Sequence, residues 1–200
     1  PLDVELLHAL QRCEDDNVSR QAEELKSITG LANPNSTAQL HTWFASKGIN
    51  LPDLRRETVE PLAADESLPA EVRRVAELRV ASARVAGKKL AAAELRRGAG
   101  DRARGTLRYL GAHTGRWSGS GFQPQNLPRE HLPKGETVDD VLDKCLLGEP
   151  VTPVEVAACV RSVITGPLIV CDYTSIEAIV LAWLAGEQWV LDAYEAKRDL

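Results

Sequence analysis

Two hundred residues, 44% of them hydrophobic and 26% charged, are enough to bury a core and too apolar for wholesale disorder. The longest uncharged apolar run, residues 178–185, is far short of the roughly 20 residues that span a membrane, and no basic segment leads into an apolar one at the start as in a secretory signal. Met is absent and the chain begins Pro1-Leu2-Asp3, so we expect a piece of a longer protein, with no membrane partner. The net charge of −5 hides a strong asymmetry: residues 1–70 balance at −6, residues 71–134 at +9 and residues 135–200 at −8. A basic centre between acidic ends is the footprint of a polyanion site, or simply a solvated basic helix face. The four cysteines, Cys13, Cys145, Cys159 and Cys171, show no C-x-x-C spacing. They read as reduced thiols rather than a zinc site, with Cys171 a small buried hydrophobe.

In chain order, the first 30 residues read as helical, with Val4, Leu7, Leu10, Ala22, Leu25 and Ile28 at helical spacing and Gly30 a natural stop. Asn33-Pro34-Asn35-Ser36 is a turn leading to a cap, followed by a helix over 37–47 closed by Gly48. Thr58 starts a short helix over 59–64. Ser67 with Pro69 opens a long basic one that runs to Arg97-Gly98. After Gly105 the pattern changes. Residues 106–110 and 112–117 are strand-like, and residues 118–128 are a Gly-, Ser- and Gln-rich loop. Helices follow over 138–147 and 153–162, the second opened by the capping box Thr152-Pro153-Val154-Glu155. Residues 167–172 suit a short buried strand, residues 175–185 a mostly apolar helix ending at Gly186, and residues 187–197 a further helix. The expected fold class is α+β, mainly α: a helical subdomain over 1–104, then a part with a small antiparallel sheet over 105–200.

Two features carry chemistry. Asp172 ends the expected strand just before a helix, where a carboxylate suits a hard divalent cation or serves only as a helix cap. Glu177 lies in the first turns of that helix. The stretch from Gly111 to Pro128 combines glycines, which admit close backbone approach, with donors at Arg116, Gln123, Gln125 and Asn126. It has neither the third glycine of a dinucleotide fingerprint nor a Gly-Lys-Ser/Thr phosphate loop.

Thr114-Gly115-Arg116-Trp117-Ser118, then Gln125-Asn126-Leu127-Pro128, then Asp172-Tyr173-Thr174-Ser175-Ile176-Glu177 leading to Leu184-Ala185-Gly186-Glu187, together resemble family A (polymerase I-like) DNA polymerases, especially phage-type members. Their pattern is T-G-R-x-S-S, L-Q-N-I-P and D-Y-S-x-I-E-x-R. Upstream, Asn33 to Leu40 resembles the N-x-x-S-x-x-Q-L of the thumb. The resemblance implies thumb residues over 1–104 and the first half of the palm over 105–200. It makes Asp172 catalytic and a ligand, with the Tyr173 carbonyl, of two Mg²⁺ ions. Glu177 would be the steric gate against ribonucleotides and would line the nucleotide site. Arg116 would read the minor groove at the primer end, and Gln125 and Asn126 would lie near template and primer backbone. The basic helix, including Lys88, Lys89, Arg96 and Arg97, would grip duplex phosphates. Implied partners are primer–template DNA and a deoxynucleoside triphosphate, in the cytoplasm of a bacterium or a phage-infected host.

The sequence also departs from the family. Arg129 follows Pro128 directly instead of one residue later, and it is the candidate triphosphate arginine. Ile179 replaces the family's arginine, and residues 130–160 are an insertion. The 200 residues hold neither a fingers helix nor a His-Asp-Glu turn, so the chain alone is expected not to polymerise. Uncovered apolar surface makes self-association an expectation. A non-catalytic duplex-binding module and a helical scaffold remain as alternatives.

Overall fold

The computed structural model describes residues 1–82, 86–128, 131–167, 169 and 173–196. Helices dominate. They are α1 (Val4–Thr29), α2 (Thr37–Ser46), α3 (Arg56–Ala64), α4 (Ala70–Ser82), α5 (Ala86–Arg96), α6 (Val138–Leu147), α7 (Pro153–Cys159), α8 (Ile176–Ala185) and α9 (Gln188–Glu195). Two short antiparallel ribbons lie between α5 and α6: β1 (Arg97–Gly98) with β2 (Arg102–Ala103), and β3 (Leu107–Arg108) with β4 (Ser118–Gly119). The chain divides into two compact units, Pro1–Gly166 and Pro167–Leu200. The first therefore runs across the 104/105 boundary drawn from sequence.

α1 organises the first unit. The Asp3 carboxylate accepts the Leu6 N–H at 2.9 Å, and Gly30 ends the helix in the left-handed conformation at φ 67°. Its 26 residues extend about 39 Å at 1.5 Å per residue, long enough to serve two cores. Leu6, Leu7, Leu10 and Cys13 join Leu90, Phe122, Val141, Cys145, Val156 and Cys159 in one. Leu25, at the other end, joins Trp43, Phe44, Val59, Val72 and Val75 in the second. Cys13, Cys145 and Cys159 are buried free thiols. Burial pushes the Cys145 thiol up to about 12 and the Cys159 thiol up to about 11. Both stay protonated and unreactive at neutral pH.

The capping box before α7 forms as its residues foretell. The Thr152 N–H donates to Glu155 Oε2 at 2.5 Å, and the Glu155 N–H donates back to Thr152 Oγ1 at 3.3 Å. Glu155 is buried, with Lys144 3.8 Å away. Burial raises its carboxyl, but the Thr152 hydrogen bonds and the Lys144 charge outweigh this and hold it below its ordinary 4.5. Its ionised form thus adds stability above pH 4.5, and that stability is lost as pH falls through the folded-state value. Thr152→Ala is expected to cost about 1 kcal/mol at neutral pH. Urea unfolding measured at pH 7 and then in steps below pH 4.5 should show the gap to wild type narrowing in acid.

One expectation changes, and two others are met or described only in part. Residues 112–117 are not strand: the Ala112 N–H donates to the Arg116 carbonyl at 3.2 Å, and Leu110 and Gly115 take φ 48° and 77°. These are turn conformations, and the strand that pairs with β3 lies at 118–119, where composition suggested loop. The long helix starts at Ala70 because the Ser67 N–H and hydroxyl both donate to Asp65 Oδ1, closing a turn before Pro69. It is helical on both sides of 83–85, which lie outside the described residues. In 167–172 only Pro167 and Ile169 are described. Neither is strand, and Ile169 is exposed; residues 168 and 170–172 lie outside the described residues.

In the second unit α8 and α9 form a hairpin turned at Gly186 (φ 74°), with Ala182 and Ala193 buried. Ile176, Leu181, Trp183, Leu184 and Trp189 are exposed.

Candidate nucleic-acid interface

α5 places Ala86, Leu90 and Ala93 in the core beside α1. Its half-buried basic residues turn to the glycine-rich segment instead. Lys89 Nζ donates to the Phe122 carbonyl at 3.3 Å, and Arg96 Nη2 donates to Ser120 Oγ at 3.3 Å. Phe122, whose carbonyl Lys89 holds, is 1% exposed, and Leu127 is buried further along. At the far end Arg161 donates from Nε to the Pro128 carbonyl (3.3 Å) and from Nη2 to the Leu127 carbonyl (3.2 Å). The segment is thus fastened by three side chains, two of them on α5.

The glycines act here by close approach. A Cβ on Gly119 would stand 2.4 Å from Gln125 Nε2 and 2.6 Å from Gln123 Cγ. Gly121, at φ 62°, would place one 2.7 Å from Arg96 Nε. Gln125 and Asn126 lie exposed on a 3-10 turn, Pro124–Asn126, and Asn126 Nδ2 donates to Gln123 Oε1 at 3.2 Å. Arg116 is exposed in the turn between β3 and β4. Lys88 is exposed on α5. Lys88, Lys89, Arg96, Arg116, Gln125 and Asn126, which sequence reasoning assigns to two different domains, therefore all belong to the first unit.

The basic helix is less free than its composition suggests. Arg97 holds Glu94 through two nitrogens and Asp101 at 3.0 Å, and hydrogen bonds to both raise its guanidinium pKa further. Arg74 is held by Glu24 and Glu77. Those charges are answered within the fold, so each adds less to an external field.

In the second unit Tyr173 is 78% exposed and Glu177 stands exposed in the first turn of α8. That position favours a carboxylate through the helix dipole. Asp172 and Arg129 lie outside the described residues. The described residues contain no group of three His, Cys, Asp or Glu able to hold a metal ion. Among the described residues no helix is long and apolar enough to cross a membrane.

The chain is similar to a phage DNA polymerase. It is 34% identical over 205 residues to the DNA polymerase of Bacillus phage SP02. The match takes in 96% of this chain and 31% of that relative, so the chain spans about a third of its length. No protein-family model matches the sequence, and no solved structure matches it.

Sequence reasoning missed two residues that build this surface. Phe122 is the lone large apolar side chain within 118–126, a signal that the loop has an inward anchor. Arg161 carries no local signal, because its partners lie 33 and 34 residues away.

Proposed function

We propose that the chain is the thumb (1–104) and first half of the palm (105–200) of a family A DNA polymerase, which transfers a nucleotide from a deoxynucleoside triphosphate to a primer 3′-hydroxyl. The observation that carries this reading is the surface of Arg116, Gln125 and Asn126, in T-G-R and Q-N-L-P motifs, fastened to the basic helix α5. The similarity to a phage DNA polymerase supports it.

Arg116 would lie at the primer-terminal minor groove, whose acceptors differ little between bases and so permit sequence-independent checking. Gln125 and Asn126 would hold strand backbone, and Lys88 with Lys89, Arg96 and Arg97 would meet duplex phosphates. Glu177 would exclude a ribose 2′-hydroxyl, with Arg129 near the triphosphate. Asp172 and the Tyr173 carbonyl are the proposed ligands of the divalent ions, two Mg²⁺ in a complete enzyme. These ions enter through the sequence motif. The 200 residues alone would bind primer–template without extending it, having one candidate metal carboxylate motif and no fingers helix.

The test is duplex binding by the 200-residue chain across 50–200 mM salt. The affinity is expected to fall with a log–log slope of about −0.9 per phosphate contact, and Lys88→Ala should reduce the slope by about 1. A chain that fails to bind duplex at the lowest salt would overturn the proposal. Extension of a primer by the 200 residues would overturn the expected inactivity.

A further inference from the structure

The β3–β4 hairpin carries a feature to which the motifs assign no role. Its register pairs Leu107 with Gly119 and Arg108 with Ser118, and one step toward the turn stand Tyr109 and Trp117. Their rings meet edge to face, with centroids 5.1 Å apart at 64°. Such a pair is ordinarily buried. Here Tyr109 is 71% exposed and Trp117 61%, with Leu110 beside them at 58%.

Two more observations say what covers the rings. From Arg102 to Arg129 the sequence has five arginines and not one Asp or Glu, so the hairpin sits in an uninterrupted positive stretch that suits a polyanion. Arg102, Arg104, Arg108 and Arg116 are exposed. The platform is also braced from below. The Ser120 N–H donates to the Thr106 carbonyl at 2.9 Å, Gly111 leaves no room for a Cβ against Ser118, and Phe122 is anchored in the core.

We propose that Tyr109 and Trp117 form a stacking platform for unpaired bases of single-stranded DNA. A paired base within a duplex has both faces covered by its neighbours, so solvent-facing rings can stack only on an unpaired base or a strand end. Every base has a π-face, so such a platform is indifferent to sequence, and arginines about it hold the phosphates. The inference rests on the nucleic-acid reading above and goes beyond it, since that reading concerns duplex and motif residues.

The experiment compares two probes on the 200-residue chain: a single-stranded oligothymidylate and a relaxed, covalently closed circular duplex, which has no strand ends. Tyr109→Ala and Trp117→Ala are each expected to weaken single-strand binding roughly 5- to 150-fold and to leave duplex binding within about twofold. Tyr109→Phe and Trp117→Phe keep a ring and should retain most of the affinity. In a strand carrying 2-aminopurine, binding should quench its fluorescence, and Trp117→Ala should abolish the quenching. Alanine variants that bind the single strand like wild type would overturn the proposal, and the rings would then suit a protein partner. An equal loss on both probes would also overturn it. Absence of duplex binding by wild type is a separate readout, and it would sink the polymerase reading as well.

Discussion

Phe122→Ala is expected to lower stability by about 3–5 kcal/mol and to loosen the glycine-rich segment. The ring is 1% exposed in the core built on the first half of α1. The Phe122 carbonyl is the point where Lys89 holds the segment, two residues after the Ser120 hydroxyl that Arg96 holds. Removing the ring leaves a cavity and frees the backbone that carries Gln125 and Asn126. Phe44→Ala supplies the control, because Phe44 is equally buried but belongs to the second core, with Trp43, Val59 and Val72. Both variants should unfold at lower urea by comparable amounts. Only Phe122→Ala should also weaken duplex binding by the folded protein. Phe122→Leu, which keeps most of the volume, should cost under about 1.5 kcal/mol. A Phe122→Ala chain that unfolds and binds like wild type would show that the segment is not anchored there.

Local chemistry accounts for what the sequence discloses of this fold. Gly30 and Gly186 end helices in the left-handed conformation, Ser36 caps α2, and Thr152 with Glu155 opens α7. Each of these depends on residues at most four apart. The pairing of Arg97 with Glu94 is of the same kind, three residues along one helix. Arg74 with Glu24 is not: fifty residues separate them, and only the packing of α4 on α1 brings them together. The basic helix therefore looks freer in sequence than it is in the fold. The hairpin shows a second limit. Composition places a loop where β4 lies, because a two-residue strand is too short to show alternation. The same shortness conceals the register that sets Tyr109 opposite Trp117. As for the site, Arg116, Gln125 and Asn126 are legible as a motif, but their attachment to α5 is not, since Lys89 and Arg96 reach across 33 and 24 residues.

In a longer chain that contains these 200 residues and extends primers, Asp172→Asn is expected to reduce the rate of incorporation on the order of 10³-fold or more. The change keeps size and shape and removes one negative charge. A metal ion that stabilises charge in the transition state contributes several kcal/mol, and each 1.36 kcal/mol is tenfold in rate. Asn is a poor substitute because hard divalent ions prefer carboxylate oxygens. Duplex binding should stay within about twofold, because the residues proposed to meet DNA are Lys88, Lys89, Arg96, Arg97, Arg116, Gln125 and Asn126, none of which is the substituted residue. Single-turnover incorporation and equilibrium binding measured on the same preparation separate these effects. Glu177→Ala in the same chain should act differently, keeping deoxynucleotide incorporation while admitting ribonucleotides, because it removes bulk rather than a metal ligand. If Asp172→Asn left incorporation intact while Lys88→Ala still weakened binding, the palm assignment would fail. The duplex-binding module would then be the better account of the chain.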